Sequence, residues 1–367
     1  MTNISVLLCF IILIAFGFVD CHVANERVGI YELKKGNFSA KFTNLGASLV
    51  SLIVPDQNGH LDDVVLGYDS IRDYINGSLP FGAIVGRVAN RIRGAQLTLN
   101  RVHYKLVANE GNNTLHGGSR GFSHVVWRVS AHRKEGAVPY IQFSYRSFDG
   151  EQGFPGDLFV SVMYILTGDD TMRVKMIAIA LNKPTPVNLA QHTYWNLGGH
   201  NSGDILSHEI QIFGSHITPI DRQLIPTGQI VPVCGTPYDF LKPHTIGSRI
   251  IKKLPNGYDI NYVLDGGLKS GKGSTVKRAA VVHHTKSGRI LELSTNAPGM
   301  QFYTSNWVKD VKGKGGYIYK PHAGLCLETQ GFPNAVNQPN FPSQIVRKGK
   351  PYTHSMRFKF STTGPSA

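Results

Sequence analysis

Glu328 stands in the apolar stretch "AGLCLETQGFP". A carboxylate drawn out of water must be paired, protonated or engaged in chemistry. Alternation there reads as a short buried strand that puts Cys326, Glu328 and Gln330 on one face and Leu327 and Thr329 on the other. A second polar row lies in "VNLAQHTYWNL". On a strand, His192, Tyr194 and Asn196 would share one face and Thr193, Trp195 and Leu197 the other. If the two rows meet, an acid and a base confront each other across one cleft, as general acid–base catalysis requires. Asp259 in "NGYDINYVL" and Gln301 in "PGMQFYTSN" would complete the lining. Hydrogen-bonding groups interleaved with aromatic bulk are what a sugar site needs.

Two further clusters add donors. In "GAIVGRVANRIRGAQL", Arg87, Asn90 and Arg91 interrupt a run of small and apolar residues. A guanidinium is a planar fork of donors that fixes oxygen-rich ligands or orients a carboxylate. The competing reading is a pair of arginines bridging loop carbonyls. In "NNTLHGGSRGF", His116 precedes Gly117 and Gly118, a pair that lets backbone approach a ligand closely and leaves the imidazole uncovered. The competing reading there is a histidine that satisfies a turn. Each cluster alone is weakly specific, and their combination is the signal.

The elements that must position these groups are strands. "FSAKFTNLGASLVSLIVP" alternates and ends in the turn cluster "DQNGH", and "VHYKLVAN", "YIQFSYRSF", "LFVSVMYILTG" and "MRVKMIAIALN" are period-two segments rich in β-branched and aromatic residues. "AAVVHHTKSGRILELSTN" reads as a hairpin turning at Lys286-Ser287-Gly288. Forty glycines, no long helical periodicity, no repeat and no linker rich in Pro, Gly or Ser together predict one large antiparallel β domain, a sandwich with extra sheets.

The first residues differ in kind. Val6–Val19 is an apolar block too short for a comfortable membrane span and suited to a signal-peptide core, although no Lys or Arg precedes it. The expectation is a signal over residues 1–21, cleaved after Cys21 or Ala24, and a single domain over 22–367 in a secreted protein. Cys234 and Cys326 then remain, with one disulfide between them allowed but not needed for a domain this large. Asn37, Asn76 and Asn112 head N-x-S/T sequons and become glycosylation candidates. The formal charge of +14 is spread through loops rather than gathered on one element with stacking aromatics, which argues against nucleic acid. A loose attraction to anionic wall or matrix polymers is the milder expectation, with no membrane association after signal cleavage.

Several chemistries lack their residues. Among fifteen histidines there is no HxH or HExxH spacing, and no paired CxxC, so no metal is expected. Neither a phosphate-cradling glycine loop nor a G-x-S-x-G elbow is present.

"GRVANRI", "LHGG", "QHTYWNL", "GYDINYVL", "PGMQFYTSN" and "CLETQGFPNAVNQPNFP", in that order, resemble the motifs of the aldose 1-epimerase (galactose mutarotase) family, from about Gly36 to Phe360. The resemblance implies a β-supersandwich that interconverts the α and β anomers of free aldohexoses without a cofactor. It implies Glu328 as catalytic base and His192 as catalytic acid, with Asn90, Arg91, His116, Tyr194, Asp259 and Gln301 binding the sugar. Ile260 stands where the family commonly has His; next to Asp259 on a strand it should point away from the pocket. The residue chemistry agrees, since a carboxylate and an imidazolium exchange protons reversibly near neutral pH. On this reading Glu328 helps to keep His192 protonated, and Arg91 holds negative charge on Glu328 or binds a hydroxyl. The rivals are a glycosidase using Asp259 and Glu328, a non-catalytic carbohydrate-binding protein on the same scaffold, and a hexose-phosphate epimerase, for which no phosphate cluster is evident.

Overall fold

The computed structural model describes residues 26–168, 170–254, 256–266 and 275–364. The expected signal over residues 1–21 lies outside these. The dominant element is a nine-stranded antiparallel sheet, in spatial order Arg128–Arg133, Tyr140–Ser147, Leu158–Thr167, Thr171–Ala180, Tyr352–Thr362, Arg289–Thr295, Lys277–His284, Glu209–Ile212 and His244–Thr245. The hairpin read at Lys286-Ser287-Gly288 is present, with His284 opposite Arg289 as its last pair. A four-stranded sheet carries Ile30–Lys35, Phe38–Thr43, Ser48–Pro55 and Leu61–Asp63. The long alternating run starting at Phe38 is therefore two strands. Asn44 breaks it, accepting from the Gly29 N–H and donating to the Arg27 and Trp127 carbonyls.

A six-stranded sheet holds Tyr194–Trp195, Leu325–Gln330, Gly299–Tyr303, Asp259–Val263, His216–Thr218 and Val231–Pro232, in that spatial order. Its two faces differ sharply. Trp195, Leu325, Leu327, Phe302, Met300, Ile260 and Tyr262 enter the main core, shared with Phe38 and Phe42 of the four-stranded sheet and Phe143, Val160, Leu291 and Phe358 of the nine-stranded one. Burying large apolar side chains at about 1.5–3 kcal/mol each is what binds the three sheets into one body. Ile260 points into this core, as its place beside Asp259 predicts. Cys234 is exposed, Cys326 is buried, and both are free thiols.

Candidate active site

Register decides what the other face of the six-stranded sheet presents. Residues directly opposite across antiparallel strands share a face. Tyr194 pairs with Cys326, Cys326 with Tyr303 and Tyr303 with Asp259, which makes one row across four strands. Glu328 pairs with Gln301 and Gln301 with Asn261, which makes the next row, two residues along. The alternation that sends Leu327 and Phe302 inward thus lays Glu328, Gln301, Tyr303 and Asp259 side by side on the polar face.

This face floors a cleft of about 530 Å³ that is lined by all eight sequence-predicted residues: Asn90, Arg91, His116, His192, Tyr194, Asp259, Gln301 and Glu328. His192 Nε2 lies 3.6 Å from Glu328 Oε1, with both side chains almost wholly buried. The His192 ring stacks on Tyr194 at 4.9 Å and meets the edge of His116 at 5.2 Å. The Val187–Leu197 stretch is not one continuous strand. It forms strands at Ala190–Gln191 and Tyr194–Trp195, with an isolated bridge from Asn188 to Val88, so His192 sits in the break between the two strands, on the side of Tyr194. Asn196, expected on the same face, is turned away. Its amide donates to the Ala323 and Gly203 carbonyls, and its oxygen accepts from Gly198 N–H and Ser202 Oγ.

The Asn90 backbone N–H donates to His116 Nδ1 at 3.2 Å, and the His116 N–H returns to the Asn90 carbonyl at 3.0 Å. The first bond places the imidazole hydrogen on Nε2, because a neutral ring has one donor and one acceptor nitrogen. Burial holds His116 well below the usual histidine range, with His192 and Arg91 adding to the shift, so it is a neutral donor. Candidate ligand atoms of His116, His192 and Glu328 lie within 4.8 Å of one another. The hydrogen fixed on His116 Nε2 makes the trio a donor–acceptor set rather than a metal cage. The glycine pair serves backbone packing. Gly117 has φ +87°, and a Cβ there would fall 2.0 Å from the Gly86 carbonyl oxygen.

The arginines divide. Arg87 is buried away from the cleft and donates to the Pro155, Gly156 and Phe148 carbonyls and to Thr185 and Ser147 hydroxyls. The loop-bridging reading is correct for Arg87. The Arg87→Met variant should lose roughly 3 kcal/mol, since its carbonyl partners stay buried without donors. Thermal unfolding would show this as a lowered Tm, whereas an unchanged Tm would contradict the role. Arg91 faces the cleft. Glu110 grips it bidentately, with Nε to Oε2 and Nη2 to Oε1 both 2.7 Å, and its Nη1 lies 3.7 Å from Asp259 Oδ2. Asp259 Oδ1 in turn accepts from Gln301 Nε2 at 2.6 Å. The Pro- and Asn-rich loop behind Glu328 folds back onto the same segment. The Asn334 N–H donates to the Arg91 carbonyl and its Oδ1 accepts from the Arg93 N–H.

Desolvation dominates the electrostatics. It pushes the Glu328 carboxyl up to about 8, with Asp259 adding to the shift and Arg91 opposing it. It pushes His192 down to about 4. The expectation that Glu328 keeps His192 charged runs against this direction, since burial favours the neutral imidazole. Burial raises the carboxyl and lowers the imidazole, so both directions favour the neutral forms of the pair. Asp259 is likewise raised by burial, with Arg91 and Gln301 opposing.

Sequence reasoning missed Glu110, Tyr303 and Trp307, all on the cleft wall. Tyr303 was within reach, being two residues beyond Gln301 on the same strand face. Glu110 and Trp307 lie outside regular strands, where no periodicity marks them.

A polar cleft on the outer face of a layered antiparallel sandwich, with a buried carboxyl facing an imidazole at its floor, defines an enzyme site for a small polyhydroxylated ligand. The family model described as aldose 1-epimerase matches residues 29–359. The chain is 42% identical over 348 residues to a galactose mutarotase of Bos taurus, covering 94% of this chain and 97% of the relative. It is 32% identical to an aldose 1-epimerase of Escherichia coli, over 86% of this chain and 90% of that one. Among solved structures, an aldose epimerase homologue from C. elegans superposes with a TM-score of 0.84 at 29% identity, covering 92% of this chain and 100% of the other. The fold is the galactose mutarotase-type β-supersandwich. This chain belongs to the aldose 1-epimerase family.

Proposed function

We propose that this protein is an aldose 1-epimerase, an isomerase of free aldohexoses such as glucose and galactose, that uses Glu328 and His192 as its proton-transfer pair. The observation that carries the residue assignment is the 3.6 Å approach of two buried titratable groups at the floor of the cleft. Glu328 takes the proton from the C1 hydroxyl while His192 delivers one to the ring oxygen. The C1–O5 bond breaks with its electrons going to O5, and C1 becomes an aldehyde carbon. Rotation about C1–C2 and the reverse transfers close the ring on the other face. The pair returns to its starting state, so no cofactor is required.

Between its two titrations the pair holds one proton. Burial favours placing that proton on Glu328, and for the forward step it stands on His192. The two arrangements have equal net charge and differ by one transfer across the 3.6 Å gap. Arg91 and sugar hydroxyls donating to Glu328 favour the carboxylate. Asn90, Arg91, His116, Tyr194, Asp259 and Gln301 bind and orient the hydroxyls. Asp259 and Glu328 stand on one wall of the cleft, on the same sheet face, rather than flanking it as a glycosidase pair would.

Polarimetry of freshly dissolved α-D-glucose and α-D-galactose tests the reading, and faster approach to equilibrium rotation is expected with both. Measured against pH, kcat/KM should form a plateau. It falls below about 4, where a second proton on His192 leaves no base. It falls above about 8, where loss of the Glu328 proton leaves no acid. These limbs belong to the pair as a unit, and a profile flat from pH 3 to 10 would overturn the assignment. Glu110→Gln should raise KM about fivefold with kcat little altered, because Arg91 loses a charged partner. Steady-state kinetics showing the reverse split would contradict that.

The protein is further proposed to be a secreted glycoprotein, which its apolar leader Val6–Val19 supports. The sequon residues Asn37, Asn76 and Asn112 are all exposed. Asn112 stands beside Glu110 at the cleft mouth, where a glycan would shade the entrance. Dispersed positive charge suits loose retention on anionic wall or matrix polymers. Peptide mass mapping of the protein recovered from the medium would show the mature N-terminus and the occupied sites.

A further inference from the structure

We propose that His354 is a positioning residue for the proton-transfer pair. From inside the core it ties the strand of Glu328 to the segment of His192, and so sets the gap between them. The proposal rests on the assignment of Glu328 and His192 as that pair.

The backbone leaves the gap unset on one side. Beyond His192, Tyr194 pairs with Cys326 in the six-stranded sheet. Before it, Ala190–Gln191 pairs instead with Ile84–Val85, so no ladder joins that strand to Leu325–Gln330. Side chains close the interval. The Asn188 amide donates to the Gly331 carbonyl at 3.2 Å and accepts from the Gly331 N–H at 2.7 Å, as a strand partner would. His354 makes the second tie, closer along the chain to both reacting groups.

His354 lies on Tyr352–Thr362 of the nine-stranded sheet and is fully withdrawn from solvent. Its Nδ1 is 3.2 Å from the carbonyl oxygen of Leu189, three residues before His192. Its Nε2 is 2.8 Å from Thr329 Oγ1, the neighbour of Glu328. A carbonyl only accepts, so the ring hydrogen stands on Nδ1, and Nε2 accepts from the Thr329 hydroxyl. The Leu189 N–H is held as well, donating to Tyr352 Oη at 3.3 Å. Burial pushes His354 down to about 4, with the Leu189 bond opposing, so the ring stays neutral across the plateau of the pair.

The link is costly to explain by packing alone. Thr329 pairs with Met300 and shares the apolar face of its strand with Leu327, where a valine would fill the same space. Replacing both partners of a buried hydrogen bond by apolar groups of the same shape is nearly neutral for stability. What the hydroxyl and the imidazole add is a fixed separation. Displacing a reacting group by about 1 Å can cost about 10²-fold in rate.

Thr329→Val tests this, because it removes the hydroxyl at almost unchanged shape and lies off the cleft wall. Stopped-flow polarimetry on galactose should find kcat per folded molecule about tenfold lower with KM little altered, and Thr329→Ser, which keeps the donor, should restore it. The pH profile should keep both limbs, near about 4 and about 8, at reduced height, since burial of the pair is untouched. His354→Asn places an amide at the Nδ1 position but does not reach Thr329. It should lower kcat alike, and the double variant should be no slower than either single one, because both cut the same bond. Where Thr329→Val does not fold, His354→Asn is read by the same criteria. A wild-type kcat beside a lowered Tm would make the link merely structural and overturn the proposal. Limbs displaced towards ordinary carboxyl and histidine values, the sign of water entering the cleft, would overturn it too. Failure of the pair assignment would look different, as Glu328→Gln turning over like wild type.

Discussion

Glu328→Gln is expected to lower kcat for anomer exchange by about 10²–10⁴-fold, the usual contribution of one positioned acid–base group. KM should move little, because glutamine keeps the shape and an acceptor oxygen next to Gln301. Stopped-flow polarimetry on galactose measures both quantities, and a variant retaining a third of wild-type kcat would remove Glu328 from the mechanism. The same substitution should affect stability in the opposite sense. A group whose folded-state pKa is raised, here to about 8, contributes most at low pH. That contribution is lost as pH rises from the unfolded value of 4.5 through about 8. Above that point the wild-type fold must hold an ionised carboxylate away from water, and the amide has no charge to desolvate. Urea unfolding should therefore find E328Q more stable than wild type at pH 9, by an amount on the order of a few kcal/mol, with the gap closing towards pH 5. A gap independent of pH would mean that Glu328 is not buried as an acid. The site would then be one where function is kept at a cost in stability.

His192→Gln is the second large effect, again a loss of about 10²–10⁴-fold in kcat. The amide can donate a hydrogen bond to the ring oxygen but cannot surrender a proton. The pH profile separates this from mere disruption. Residual activity should lose its acid limb near 4, because that limb is the second protonation of the pair at His192. The fall above about 8 should give way to a rise there, since Glu328 now acts alone as the base and must be ionised to do so. A variant that kept both limbs at reduced height would have lost geometry rather than an acid. His192 stacks on Tyr194 and meets His116 edge-on, so near-UV circular dichroism should accompany the kinetics to show that the aromatic packing survives.

Much of this site is legible along the chain because a strand has a period of two. Alternation in "LCLET" and "GMQFY" already assigns Glu328 and Gln301 to polar faces and Leu327 and Phe302 to apolar ones, and the same rule turns Ile260 away from Asp259. The antiparallel layered fold follows from the same pattern repeated over the chain. What alternation cannot carry is distance and desolvation. The 3.6 Å between His192 and Glu328 joins positions that meet only through the pairing of Tyr194 with Cys326. Arg87 and Arg91 are chemically alike and four residues apart. One is consumed by the carbonyls of Pro155 and Gly156, and the other is presented to the ligand by Glu110, partners supplied by remote loops. The resting place of the shared proton is likewise a tertiary property. Charge attraction between a carboxylate and an imidazolium is local chemistry, whereas the cost of removing both from water depends on everything packed around them, and it drives both groups towards their neutral forms.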